Sequence, residues 1–126
     1  MFAIYYRLYC RWQSVVLYLL WKGNDEMNSH MIIMLTHNDL TVENAMEVFE
    51  ACKDLPIQFW GFKDAGISVG KMIELNKAMK DAGKTTFLEV VTYSEEGCIN
   101  GAKLAIECGF DFLTGTVFFP SALEIR

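Results

Sequence analysis

From residue 31 to residue 126 the sequence predicts an α/β fold of four strand-then-helix units, and three observations predict it. Short apolar runs alternate with segments of helical spacing, the pattern of a parallel sheet covered by helices. The runs at 31–36, 57–62, 86–92 and 111–117 begin 26, 29 and 25 residues apart, close to one β-α unit each. The segments between them carry their own start and stop residues.

The first run, MIIMLT, is followed by Val42, Ala45, Met46, Phe49 and Cys52, which share one helical face. Thr41 stands where an N-cap hydroxyl would satisfy a free N–H, and Pro56 blocks continuation of the helix. After the second run, Ser68 is the expected cap. The apolar row is Met72, Leu75, Met79 and Ala82, and Gly83 can turn left-handed to end the helix. After the third, Ser94 caps, Ile99, Ala102, Ala105 and Ile106 form the inner face, and Gly109 ends the helix. The fourth run is followed by too few residues for a stable helix, so the fourth unit is expected to be incomplete.

Four such units are half of the eight that close a (β/α)8 barrel, and the predicted architecture is a parallel half-barrel. The rival is a flavodoxin-like open parallel sheet, with helices on both faces and a first loop built for phosphate. The loop here, THNDLT, has no glycine, and no G-x-G-x-x-G or G-x-x-x-x-G-K-[ST] occurs anywhere. With neither edge nor inner face covered, a half-barrel is expected to self-associate or to pair with a missing second half.

Composition narrows the function classes. The chain is 52% hydrophobic and 21% charged with a net charge of -5, which argues for a globular domain and against nucleic acid as a partner. Residues 1–22 carry Arg7, Arg11 and Lys22 and no acid, a charge of +3 that leaves -8 for the remainder. This segment is too interrupted for a bilayer span and shows no cleavage site for a signal peptide. It reads either as a membrane-surface helix or, in preference, as an extension outside the domain, giving a division into residues 1–30 and 31–126. Membrane contact by residues 1–21 is therefore not favoured. Cys10, Cys52, Cys98 and Cys108 show no C-x-x-C spacing, and reduced thiols in a cytoplasmic protein are the expectation.

Candidate site residues follow from the rule that functional groups gather where parallel strands end. It selects Thr36, His37, Asn38 and Asp39 after the first strand, Lys63 and Asp64 after the second, Glu89 and Thr92 in the third, and Thr114, Gly115 and Thr116 in the fourth. Strand alternation puts Glu89 opposite in face to Leu88 and Val90, hence toward the barrel interior, where Lys63 can meet it. The two could be an acid-base pair, with Lys63 holding a carbonyl, carboxylate or phosphate, or simply a buried ion pair. Asp39 is either a third catalytic group or, with Asn38, a helix cap. No cofactor and no metal are expected, because carboxylates spread over three strands are a poor cation site.

The segments LTHNDLTVENAMEVFE, FWGFKDAG, KTTFLEVVT and GFDFLTGTVF resemble the opening strands of ribulose-phosphate-binding barrels such as the isomerases of histidine and tryptophan biosynthesis. The resemblance implies a small phosphorylated or carbonyl-containing, sugar-like substrate and isomerase or lyase chemistry. Many of those isomerases use an aspartate within the first strand, whereas Asp39 falls in the loop after it. An enzyme's front half, inactive alone, and a non-catalytic interaction or oligomerisation module are the two functions carried forward.

Overall fold

The computed structural model describes residues 5–10, 13–20, 30–115 and 119–125. Eight strands and three α-helices follow one another: β1 (Tyr5–Cys10), β2 (Gln13–Leu20), β3 (His30–Met34), β4 (Thr36–His37), β5 (Leu40–Thr41), α1 (Ala45–Cys52), β6 (Phe59–Lys63), α2 (Val69–Asp81), β7 (Thr85–Val90), α3 (Glu95–Cys108) and β8 (Phe112–Gly115), with a 3-10 turn at Pro120–Glu124. Six strands form one sheet in the order β1-β2-β3-β6-β7-β8, and β4 and β5 form a separate two-stranded ribbon. Within the sheet, β3, β6, β7 and β8 are mutually parallel.

That consecutive order positions everything else. A right-handed crossover between neighbouring parallel strands puts each connecting helix on the same side of the sheet. All three helices contribute to one core: Phe49 from α1, Met72, Leu75 and Met79 from α2, and Ala105 and Cys108 from α3 meet Ile33, Trp60, Phe62, Leu88 and Val90 of the strands. Phe49 meets Trp60 edge-on at 5.2 Å, and the indole N–H donates to the Ile57 carbonyl at 3.0 Å, so the fully buried ring leaves no polar atom unpaired. Alternate residues build a second cluster on the opposite face, Ile32, Met34, Phe87 and Phe59, which contains no helical residue. There Phe59, Phe87 and Phe112 form an aromatic row across three strands, with centroids 5.9 and 4.8 Å apart. Gly61 passes under this row. A Cβ on it would lie 2.7 Å from both the Met34 sulfur and the Phe87 carbonyl oxygen, so only hydrogen fits.

The helix ends follow the expected chemistry with one correction. Ser68 and Ser94 accept from the N–H groups of Lys71 and Gly97, at 3.5 and 3.1 Å. Gly83 and Gly109 turn left-handed with φ of 73° and 77°. Thr41, however, is not the cap of α1. That helix starts at Ala45 behind Asn44, without a side-chain cap hydrogen bond, because Thr41 is drawn into β5. The inner face of α3 is as expected at Ala102 and Ala105 but is rotated away from Ile99 and Ile106. Ile106 is 52% exposed, and the inward stripe is Cys98, Gly101, Ala102, Ala105 and Cys108. These small side chains let α3 approach β7 so closely that a Cβ on Gly101 would meet Val90 at 2.5 Å, and that approach sets the rotation of the helix. Ala82 likewise is exposed, as the C-cap residue of α2.

Residues 5–10 and 13–20 form strands, not the surface helix considered from sequence, in keeping with their β-branched and aromatic content. Strand β2 pairs antiparallel with β3 from Val16 opposite Met34 to Leu20 opposite His30. At the far side of the sheet, β8 is exposed along its whole length, with Phe112 and Leu113 both solvent-facing. Among the described residues no helix is long and apolar enough to cross a membrane. The result is an α/β fold with a four-stranded parallel sheet and three helices.

Candidate functional site

The site grows out of one register. Lys63 and Glu89 are direct partners across β6 and β7 at the ends of both strands, on the face away from the helices. Their side chains meet, Nζ to Oε1, at 3.5 Å. A second carboxylate comes closer: Asp39 Oδ1 accepts from Lys63 Nζ at 2.8 Å. Lys63 is nearly buried, its side chain 9% exposed, whereas Asp39 is 88% exposed.

Asp39 reaches Lys63 because of a two-residue turn. Thr36 pairs with Thr41 and His37 with Leu40, leaving Asn38 and Asp39 at the tip with φ of 49° and 63°. Such a tight ribbon needs positive φ at both central residues, and asparagine and aspartate bear it better than other non-glycine residues. The ribbon is tied to the sheet by Thr41, whose hydroxyl donates to the Lys63 carbonyl at 2.7 Å and accepts from the Lys63 N–H at 3.0 Å. Its own N–H donates to Ala65 O at 2.9 Å. Thr41 therefore does for β6 what a neighbouring strand would do, and in doing so holds Lys63 still.

Burial pushes the Lys63 ammonium toward losing its proton. The hydrogen bond with Asp39 and the charges of Glu89 and Asp39 outweigh that and hold it above the ordinary lysine value of 10.5. The same hydrogen bond and charge hold Asp39 below 3.8. At neutral pH the group is thus a fixed ammonium, suited to polarising or gripping an oxygen rather than to attacking as a free amine.

The other sequence-selected residues divide. Thr36 is buried at the base of the ribbon, and His37 and Asn38 are exposed beside Asp39. Asn38 and Asp39 do not cap α1, which begins at Ala45. Asp64 is tied up in structure: its carboxylate accepts from Val91 N–H at 3.0 Å and its N–H donates to the Glu89 carbonyl at 3.0 Å. Thr92 accepts from Ser94 N–H at 3.2 Å and so belongs to the start of α3. Thr114 and Gly115 sit beside Glu89 and Val90 in the ladder, with the Thr114 hydroxyl donating to Leu88 O at 3.3 Å. Thr116 lies outside the described residues. Among the described residues no group of three or more His, Cys, Asp or Glu side chains could hold a metal ion.

A second ionic cluster, not anticipated from sequence, occupies the opposite end of the sheet. Asp111 accepts from the Thr86 N–H at 2.8 Å and the Thr86 hydroxyl at 3.3 Å, and pairs with Lys80 of α2. Burial pushes the Asp111 carboxyl up, but Lys80 and the Thr86 N–H together hold it below 3.8. The Thr41 role was legible in principle. An Asn-Asp pair between threonines is a hairpin signal, but the ribbon is so short that its residues also fit a helix start. Comparison with protein-family models, with curated proteins and with solved structures finds no match.

Proposed function

We propose that the chain is the front half of a (β/α)8-type cytoplasmic enzyme, an isomerase or lyase acting on a small carbonyl-containing, sugar-like substrate. The observation that carries this reading is Lys63 Nζ lying 2.8 Å from Asp39 and 3.5 Å from Glu89 where two adjacent parallel strands end. In this reading the Lys63 ammonium binds the substrate carbonyl oxygen. The Glu89 carboxylate removes a proton from the adjacent, hydroxyl-bearing carbon and the electron pair moves onto that oxygen. The proton of the neighbouring hydroxyl then passes to the former carbonyl oxygen as Glu89 returns its own proton to the former carbonyl carbon, which leaves the carbonyl one position along. Consecutive strand order and helices on a single face also support a half-barrel over a doubly wound sheet, which needs a reversal of strand order.

Catalysis then requires a second half, from a second copy, from another chain or from a longer protein of which this sequence is a part. New strands can join at β8, whereas closure onto β3 requires β2 to leave its edge. Size-exclusion chromatography with ligand-detected NMR tests this. A dimer showing saturable binding of a small sugar phosphate supports the enzyme reading, and a monomer that binds none removes it. Where turnover is found, Lys63→Met and Glu89→Gln each lower it at least tenfold. The open β8 edge favours a second reading, an association module without catalysis. That reading predicts assembly without ligand binding. The division at residue 30 is tested by the chain from Met31 onward, which unfolds cooperatively in urea if residues 31–126 are a domain.

A further inference from the structure

We propose that Asp39 is a built-in occupant of an oxyanion site on Lys63, and that a carboxylate or phosphate group of the ligand takes its place. The inference rests on the reading of this site as a substrate site and names the group that the substrate brings to it. Lys63 has three holds besides Asp39: its strand, the Thr41 hydroxyl on its backbone N–H and carbonyl, and Glu89 beside its ammonium. Asp39 covers the remaining side from solvent. Its carboxylate is 88% exposed over an ammonium that is 9% exposed, so a solute oxyanion arriving from solvent meets the position Asp39 now fills.

Charge decides whether such an ion can stay. With Asp39 in place, one ammonium faces two carboxylates, a net charge of -1 that repels an anion. With Asp39 swung away, Lys63 and Glu89 cancel and the ammonium has an open donor direction. Exchange replaces one charge-assisted hydrogen bond by another of the same kind, and an exposed ion pair holds its geometry only weakly. The bond to be exchanged is the one that Lys63 Nζ donates to Asp39 Oδ1 at 2.8 Å.

The test is a titration of the full chain, labelled with nitrogen-15, with inorganic phosphate and separately with acetate, at constant ionic strength maintained with chloride. The shifts of the Lys63 and Glu89 amides are followed. Asp39→Asn removes the charge while keeping a side chain that tolerates φ of 63°. It is expected to bind the better of the two anions at least fivefold more tightly than the unaltered chain. Asp39→Gly, which accepts the turn equally well, should behave alike and guards against an effect peculiar to asparagine. Lys63→Met in either background should abolish the response. Equal or weaker binding by both Asp39 variants, no binding in any of them, or binding that survives Lys63→Met overturns the proposal. Which anion responds separates a carboxylate-bearing from a phosphate-bearing ligand. Because no turnover is measured, anion exchange without catalysis removes only the enzyme reading, and catalysis with unchanged anion binding removes only this one.

Discussion

Both ends of the parallel sheet carry a lysine-aspartate pair, and the two are made differently. At the end where β7 and β8 begin, Asp111 is locked by the backbone N–H and hydroxyl of fully buried Thr86, while its lysine is a partly exposed residue on α2. At the end where β6 and β7 finish, the lysine is the buried partner and the aspartate hangs in solvent on a turn. In the first pair the carboxylate satisfies a strand N–H that would otherwise be unpaired, and the cation is an accessory. In the second, a buried cation is served by one exposed and one half-buried carboxylate. The first arrangement ties a carboxylate into the strand ladder; in the second, the exposed partner is the carboxylate and the buried one the cation, the arrangement on which the proposed anion exchange rests.

The comparison can be broken from the middle. Gly61→Ala forces a methyl against Met34 and the Phe87 backbone beneath the aromatic row, and should cost about 2–3 kcal/mol in urea unfolding. Because that damage reaches both ends, anion binding should weaken with stability. Asp111→Ala sharpens the contrast. Leaving the Thr86 N–H without its acceptor should cost about 1–2 kcal/mol, with anion binding at Lys63 unchanged. Asp39→Asn should do the reverse, lowering the urea midpoint less than Asp111→Ala does while strengthening anion binding.

The smallest effect is the dependence of stability on pH. The Asp111 and Asp39 pKa values are lower in the folded chain, so their contribution is complete above the unfolded value near 3.8 and is lost as pH falls through the lower folded values. The Lys63 value is raised, so its contribution is complete below 10.5 and is lost as pH rises beyond it. From these three groups, the urea midpoint should be level from about pH 5 to 9, fall on acidification mainly through Asp111, and fall again only above about pH 10. A step in the midpoint between about pH 6 and 8 would contradict the assignment.

How much of this was readable in advance depends on the range of the interactions involved. The four parallel strands, the Ser68 and Ser94 caps and the glycine stops rest on residues close in sequence, and the structure has them within about two residues of where periodicity and capping predict, whereas β1, β2 and the β4–β5 ribbon were not expected. The meeting of Lys63 with Glu89 was also readable, since a charge in the centre of TFLEVV must avoid the helix layer and parallel pairing brings the next strand's charge alongside. The Asp39 contact was not, because it depends on a turn whose Asn-Asp tip looks equally like a helix cap. The rotation of α3 escaped for a different reason: Ile106 is more apolar than Cys98 or Gly101, but small residues gain more by letting a helix come close. Asn76, buried on α2 and donating to the Cys108 carbonyl of α3 at 2.7 Å, lies between Leu75 and Lys77 and, being polar, gave no periodic signal.

The consecutive order of the parallel strands bears on how the chain is made. Strand β6 docks on β3, β7 on β6 and β8 on β7, so each strand of the parallel set pairs with the member of that set synthesised before it. A nascent chain leaving the ribosome would always present a finished edge to the next unit, and none would wait for a later segment to insert between earlier ones. Assembly can then proceed by nearest-neighbour addition, as in repeat arrays, with loop closures of one β-α unit at each step. A doubly wound order would interrupt that progression at its reversal point, holding an early apolar edge open during translation.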